Sequence, residues 1–326
     1  MSELVLASHA PISIFPQIRT APKFTVVTGA FDAEPRSRTA RDRTRPQVLE
    51  ERAFGRLTVL DVALAGASAG PNVKTLVYQP GAFTPDMPVV MVMHGITRNA
   101  WTYLEAWVGM AERYGCVLVI PEFPRSGWPT ARAYNLGNVR TRKGQDRPRE
   151  NWSFTAVETV FDAVRDHLGL QAAGYHLYGH SAGAQFVHRF LLHTGGPRVV
   201  RAAAANAGWY MLPDRRIPYP YGMADLAVDG DTLKSALETP LIVLLGEKDN
   251  DSASPNLRRT RKAEAQGPHR LARGLHFIEV ATAVAFEWDC RLRWRSKVVP
   301  NTGHSDRAMA PYACAALLGK RGRRRR

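Results

Sequence analysis

Gly179-His180-Ser181-Ala182-Gly183 is the stretch on which the fold turns. Before it runs the short apolar segment Tyr175-His176-Leu177-Tyr178, of strand length. After it, Phe186, Val187, Phe190 and Leu191 recur at helical spacing, and the pattern stops at Gly195-Gly196. The serine is thereby predicted on a strand-to-helix turn. A G-x-S-x-G pentapeptide gains weight only from such a setting, and this chain carries two. The other, Gly66-Ala67-Ser68-Ala69-Gly70, lies between the alternating runs Leu57 to Val62 and Val73 to Val77, with no helical pattern after it. It reads as a small-residue turn between antiparallel strands.

Outward from Ser181, continuous apolar runs alternate with helical stripes. The runs are Val89 to Met93, Val117 to Ile120, Tyr175 to Tyr178, Val199 to Ala205, Leu241 to Leu245 and Trp294 to Val299. Continuous rather than alternating apolarity marks strands buried on both faces, as in a parallel sheet. Between them, Val157, Val160, Phe161, Val164 and Leu168 form one helical stripe, and Phe277, Val280, Val284 and Trp288 form another. The expected fold is α/β: a mostly parallel central sheet with helices on both faces and an N-terminal antiparallel hairpin from about residue 56.

The chain has 326 residues and a formal net charge of +15. This length suits one catalytic domain, expected over 56–318, with an Arg-rich segment at 1–55 and a basic tail at 319–326. Much of the charge falls at the periphery: Arg36, Arg38, Arg41, Arg43 and Arg45 precede the first strands, and Lys320 to Arg326 end the chain. Both segments are polar enough to be expected disordered. Two further clusters, Arg140 to Arg149 and Arg258 to Lys262, fall inside the domain and are expected as solvated faces. Weak attraction to polyanions follows from the charge, but no specific nucleic-acid partner does. No run approaches a membrane span, and the first thirty residues lack a signal-like apolar core, so a cytoplasmic protein is expected. Cys116, Cys290 and Cys314 form neither a dense framework nor a metal-type pair, which suits free thiols.

In parallel sheets ligands bind beyond the carboxyl ends of the strands, and four such ends carry reactive residues. A serine hydroxyl needs a base within hydrogen-bond reach and a carboxylate to orient that base. His304, in the Gly303-His304 turn after the last strand, is the expected base. The order serine, acid, histidine supports it. After the strand ending at Gly246 come Glu247, Asp249 and Asp251. Asp249 is the expected acid because its distance from the glycine lets the chain turn back over the sheet; Asp251 stays open. An oxyanion needs two donors, expected at the amides of Ala182 and Ile96, with Gly95 or Thr97 as alternatives to Ile96. Trp209 and Tyr210, with the Pro-rich stretch Pro213 to Tyr221, are expected at the pocket wall. Trp128 and Trp152 flank the basic segment Arg140 to Arg149, which would favour acidic substrates if it covered the site.

With His94-Gly95, the Ser181 pentapeptide, Gly246-Glu247-Lys248-Asp249 and Gly303-His304 in that order, the chain resembles the α/β-hydrolases. Ala205 to Tyr210, Pro218 to Gly222 and Arg270 to Phe277 are similar to segments of poly(3-hydroxybutyrate) depolymerase-like esterases, a group that includes feruloyl-esterase-like proteins. The resemblance implies attack on ester bonds by Ser181, proton shuttling by His304, orientation of His304 by Asp249, and an acyl-enzyme released by water without metal or organic cofactor. A small or oligomeric ester, of hydroxyalkanoate or aryl type, is the implied substrate. Competing expectations are a peptidase or thioesterase on the same triad, and a non-catalytic polyanion-binding protein on a hydrolase scaffold.

Overall fold

The apolar runs become strands because every residue in them has somewhere dry to go. The computed structural model describes residues 27–30, 55–64 and 71–319. Among these residues nine strands form one sheet: β1 (Val27–Ala30), β2 (Arg56–Val62), β3 (Val73–Gln79), β4 (Val89–Met93), β5 (Val117–Pro121), β6 (Tyr175–His180), β7 (Val199–Ala205), β8 (Leu241–Gly246) and β9 (Trp294–Val299). Their spatial order is β1-β2-β3-β5-β4-β6-β7-β8-β9. From β5 to β9 every neighbour is parallel, while β1, β2 and β3 pair antiparallel at one edge.

Among the described residues seven α-helices surround the sheet: α1 (Ala100–Tyr114), α2 (Ser153–Leu168), α3 (Ala182–Thr194), α4 (Gly230–Glu238), α5 (Arg261–Glu264), α6 (Arg270–Glu287) and α7 (Asp306–Leu318). Successive side chains of a strand point to opposite faces, so both faces of β4 are apolar. Val89, Met91 and Met93 pack into a core with Phe161, Phe186, Phe190, Leu233 and Phe277, from α2, α3, α4 and α6. Val90 and Val92 enter a second core with Leu104, Trp107, Ala313 and Leu317, from α1 and α7. The expected architecture is present, with helices on both faces of a mostly parallel sheet and an antiparallel edge.

The sheet begins earlier than expected. Val27–Ala30 pairs with Arg56–Val59 inside the segment assigned to an Arg-rich head. The head therefore contributes a strand, because β2 offers an unpaired edge that a short extended segment can satisfy. At the other end α7 closes at Leu318. The second pentapeptide around Ser68, the arginines from Arg36 to Arg45 and the tail from Lys320 lie outside the described residues. Among the described residues no helix is long and apolar enough to cross a membrane. Cys116, Cys290 and Cys314 are free thiols, the first and last buried.

Candidate active site

Ser181 sits between β6 and α3 with φ 57 and ψ −113, a backbone conformation that costs a non-glycine residue about 1–3 kcal/mol. Its flanking glycines make the turn possible. A Cβ on Gly179 would stand 2.2 Å from the carbonyl oxygen of Gly183, and one on Gly183 would stand 2.0 Å from that of Met93. Without side chains, the two positions let α3 start immediately over the ends of β4 and β6.

Three loops converge on the serine. His304, carried between β9 and α7, places Nε2 3.1 Å from Ser181 Oγ. Its Nδ1 lies 2.7 Å from Asp249 Oδ2, on the turn after β8. Asp249 is 5% exposed, and its other oxygen accepts a hydrogen bond of 3.1 Å from Arg270 Nη1. Asp251, the alternative acid, is exposed and caps the amide of Ala253 at 2.7 Å. Among the three carboxylates expected there, only Asp249 reaches His304. Glu247 accepts from the Asn301 amide instead, which ties the β8 turn to the His304 loop.

The donors expected for an oxyanion lie at the same corner. The first intrahelical bond of α3 is donated by the Gln185 amide to Ser181 O at 3.1 Å, so the Ala182 amide precedes any helical partner and faces the positive end of the helix. The loop after β4 abuts the serine: a Cβ on Gly95 would lie 3.9 Å from Ser181 Cβ and 2.8 Å from Tyr103 Oη. Ile96 is 55% exposed at this rim, and Arg125 Nη2 donates to its carbonyl at 2.9 Å. The preceding peptide is held from behind, since Gly95 O accepts from the Arg98 amide at 3.2 Å and from His94 Nδ1 at 3.2 Å. The His94 tautomer follows from its other nitrogen, which accepts the Phe123 amide at 3.0 Å. Burial pushes the His94 imidazole down to about 3, so it is neutral at this post.

The residues expected at the pocket wall separate. Trp209 is almost buried, with the Arg189 guanidinium 4.2 Å from its ring centroid, that of Arg258 at 4.8 Å, and the Tyr221 ring at 4.6 Å. Tyr210 turns inward. It is fully buried, stacks on Phe277 at 4.5 Å, and has both backbone groups bonded by the Gln266 side chain. That correction has a local cause: the chain bends as it leaves β7, with Asn206 at φ 53 and a further bend at Gly208-Trp209, so the two side chains that follow part company. Trp128 also points into the core against Phe123, and Trp152 packs on Phe154. The basic segment between them is partly neutralised by Arg140 pairing with Asp146 at 2.6 Å.

Several residues of the corner gave no sequence signal. His180, the variable residue of the pentapeptide, sets its buried ring 4.7 Å from that of His304, tilted by 43°. Burial, then His304 and Arg270, push it well below the usual histidine range, so it is a neutral wall against the base. Arg270 opens α6 and is buried beside Asp249. A groove of about 320 Å³ lies near the acid loop, lined by Ser252, Leu257, Arg259, Glu264, Pro268 and Arg273. A larger hollow of about 510 Å³, beside α4 and the start of β9, is at the far end of the strands from Ser181.

A serine on a left-handed strand-to-helix turn above a parallel sheet flanked by helices defines the α/β-hydrolase class. Poly(aspartic acid) hydrolase-1 from Sphingomonas sp. KT-1 is 39% identical, with a TM-score of 0.76 over 82% of this chain and 99% of its own. LpqC, a poly(3-hydroxybutyrate) depolymerase from Bordetella parapertussis, is 33% identical, with a TM-score of 0.74 over 81% of this chain and 89% of its own. An S-formylglutathione hydrolase from Agrobacterium tumefaciens, at 16% identity and a TM-score of 0.53 over 81% of this chain and 96% of its own, shares the fold. No family model and no curated protein matches the chain. The chain belongs to the α/β-hydrolases, in the group of the poly(3-hydroxybutyrate) depolymerase-like proteins, and is a hydrolase of that type.

Proposed function

We propose that the protein is a serine esterase that opens carboxylic ester bonds of a small or oligomeric substrate through an acyl-enzyme on Ser181. The hydrogen-bonded line from Ser181 through His304 to Asp249 carries this reading. His304 Nε2 takes the hydroxyl proton as Ser181 Oγ attacks the acyl carbon, and the amides of Ala182 and Ile96 receive the oxyanion. Collapse of the tetrahedral adduct breaks the bond to the alcohol, which leaves with the proton from His304. Water, deprotonated by the same nitrogen, then releases the acid and restores the serine. Asp249 accepts from Nδ1–H throughout, which keeps that proton on Nδ1 and leaves Nε2 to take up and return the travelling one.

A second reading, hydrolysis of amide bonds in an acidic polymer, draws on two observations. One is the 39% identical relative, named as a poly(aspartic acid) hydrolase. The other is positive charge at the rim. Arg125 bonds the Ile96 carbonyl and Arg258 lies on Trp209, both are exposed, and among the described residues neither is ion-paired. Such groups attract carboxylates, with a strength that falls as salt rises. The nucleophile itself does not choose between ester, thioester and amide.

One panel separates these readings: esters varied in acyl and alcohol parts, a thioester and poly(aspartic acid), each with wild type and Ser181→Ala. Ester turnover that vanishes in the variant is the expected result. Faster release from poly(aspartic acid), suppressed by salt and by Arg258→Ala, would favour the second reading. Unchanged turnover in Ser181→Ala, or failure of a fluorophosphonate to label Ser181, would overturn both. Salt-sensitive retention of nucleic acid without labelling would point to the polyanion-binding scaffold.

A further inference from the structure

We infer that Arg270 is a positioning residue for this reaction, fixing which oxygen of Asp249 meets His304. The inference rests on the triad reading proposed above. Asp249 and Arg270 are 5% and 3% exposed as side chains, and Nη1 meets Oδ1 at 3.1 Å while His304 occupies Oδ2 at 2.7 Å. Among the described residues, these are the donors that reach the carboxylate.

A carboxylate turns readily about its last torsion, because such sp³–sp² torsions have broad minima. With His304 as its sole partner, Asp249 could rotate and offer either oxygen, or swing from the ring. A second donor on the opposite oxygen removes that freedom. Arg270 is itself fixed: it is the first residue of α6, and the same Nη1 donates to Ser254 Oγ at 3.1 Å. Its charge also compensates a buried carboxylate whose other partner among the described residues is the His304 ring.

The side chain is not needed to anchor the helix. The Leu271 amide already bonds the Asp249 carbonyl at 3.3 Å, and His269 Nδ1 caps the Ala272 amide at 3.2 Å. One turn on, Arg273 Nη1 ties α6 to Gly208 O at 2.7 Å. The guanidinium of Arg270 is therefore directed to the carboxylate, while neighbouring residues fix the helix.

A double-mutant cycle between Arg270 and Asp249, read with the best ester of the panel, tests the inference. Arg270→Gln is expected to lower kcat by about 10–100-fold with KM within threefold, and to shift the far-downfield proton resonance of the His304 Nδ1–H. In the Asp249→Asn background the same change is expected to lower kcat by less than about threefold, because the carboxylate it positions is gone. Arg270→Lys, which keeps the charge but loses the fork, is expected to recover kcat to within about tenfold of wild type. Should Arg270→Gln fail to fold, the cycle is run with Arg270→Lys, which is expected to lower kcat by about three- to tenfold with Asp249 present and by less than about twofold with Asn at that position. Equal losses in both backgrounds, or an unmoved resonance in a folded variant, overturn the role of Arg270. Turnover that survives Ser181→Ala overturns the triad reading instead.

Discussion

The Cβ that Gly183 lacks would stand 2.0 Å from the carbonyl oxygen of Met93, so the second glycine of the pentapeptide sets how closely α3 approaches β4. Gly183→Ala forces those backbones apart beneath Ser181. It is expected to lower stability by more than about 2 kcal/mol and to cut turnover with it. Gly109, on the exposed side of α1, has no heavy atom within 4 Å of its missing Cβ. There, Gly109→Ala is expected to raise stability by about 0.5–1 kcal/mol. Urea midpoints of the two variants should move in opposite directions.

Two aspartates two residues apart should behave differently. Asp249→Asn leaves the acid position filled with an amide that can stabilise the wrong histidine tautomer, and kcat is expected to fall about 10³–10⁴-fold. Asp251→Asn keeps an oxygen to cap Ala253 and touches no part of the site, so kcat is expected to stay within about twofold. Comparable losses in both would remove Asp249 as the acid.

Five histidines buried among the described residues make the fold sensitive to acid. Burial pushes His94 and His193 down to about 3 and His176 to about 4, and sends His180 and His188 well below the usual range. Each folded pKa is depressed, so the unfolded chain binds more protons below about pH 6.5 and stability falls as pH drops from there. Each histidine contributes up to about 1.4 kcal/mol per pH unit in that window. Urea unfolding from pH 7 to pH 5 should show a steep loss, and His176→Asn, near the rim of this set, should make it shallower.

Asp306 acts with the opposite sign. It sits two residues beyond His304, buried, with Tyr178 Oη donating to its Oδ1 at 2.8 Å. Burial raises its carboxyl to about 6. The folded state thus holds the proton more tightly than the unfolded chain, and this group's contribution is lost as pH rises through about 6. Asp306→Asn keeps the acceptor for Tyr178 without the charge. Relative to wild type, it should gain about 2 kcal/mol between pH 4.5 and pH 8, measured by urea unfolding.

Most of the fold was legible because burial on both sheet faces leaves a simple trace. The runs at 89–93, 199–205 and 294–299 coincide with β4, β7 and β9. The line of Ser181, Asp249 and His304 was legible too, since each follows a strand end and one sheet edge gathers them. Arg270 was not, because a charged residue at a helix start reads as solvent-facing unless its buried partner, 21 positions away, is known. Tyr210 was misplaced for a related reason: an aromatic after a strand carries no mark of which face it takes. Strand β1 gave no apolar run, its four residues Val27-Thr28-Gly29-Ala30 being held by pairing with β2.

Every residue of α3 is buried, polar ones included: Gln185, His188, Arg189, His193 and Thr194 all lie inside. A helix with no watered side cannot drift, because each outward change meets a neighbour. Ser181 is thus mounted at the head of the helix with least freedom to vary, while the turns bearing Ile96, Arg125 and Arg258 face solvent. Those turns can be rewritten while the mounting of Ser181 is inherited unchanged.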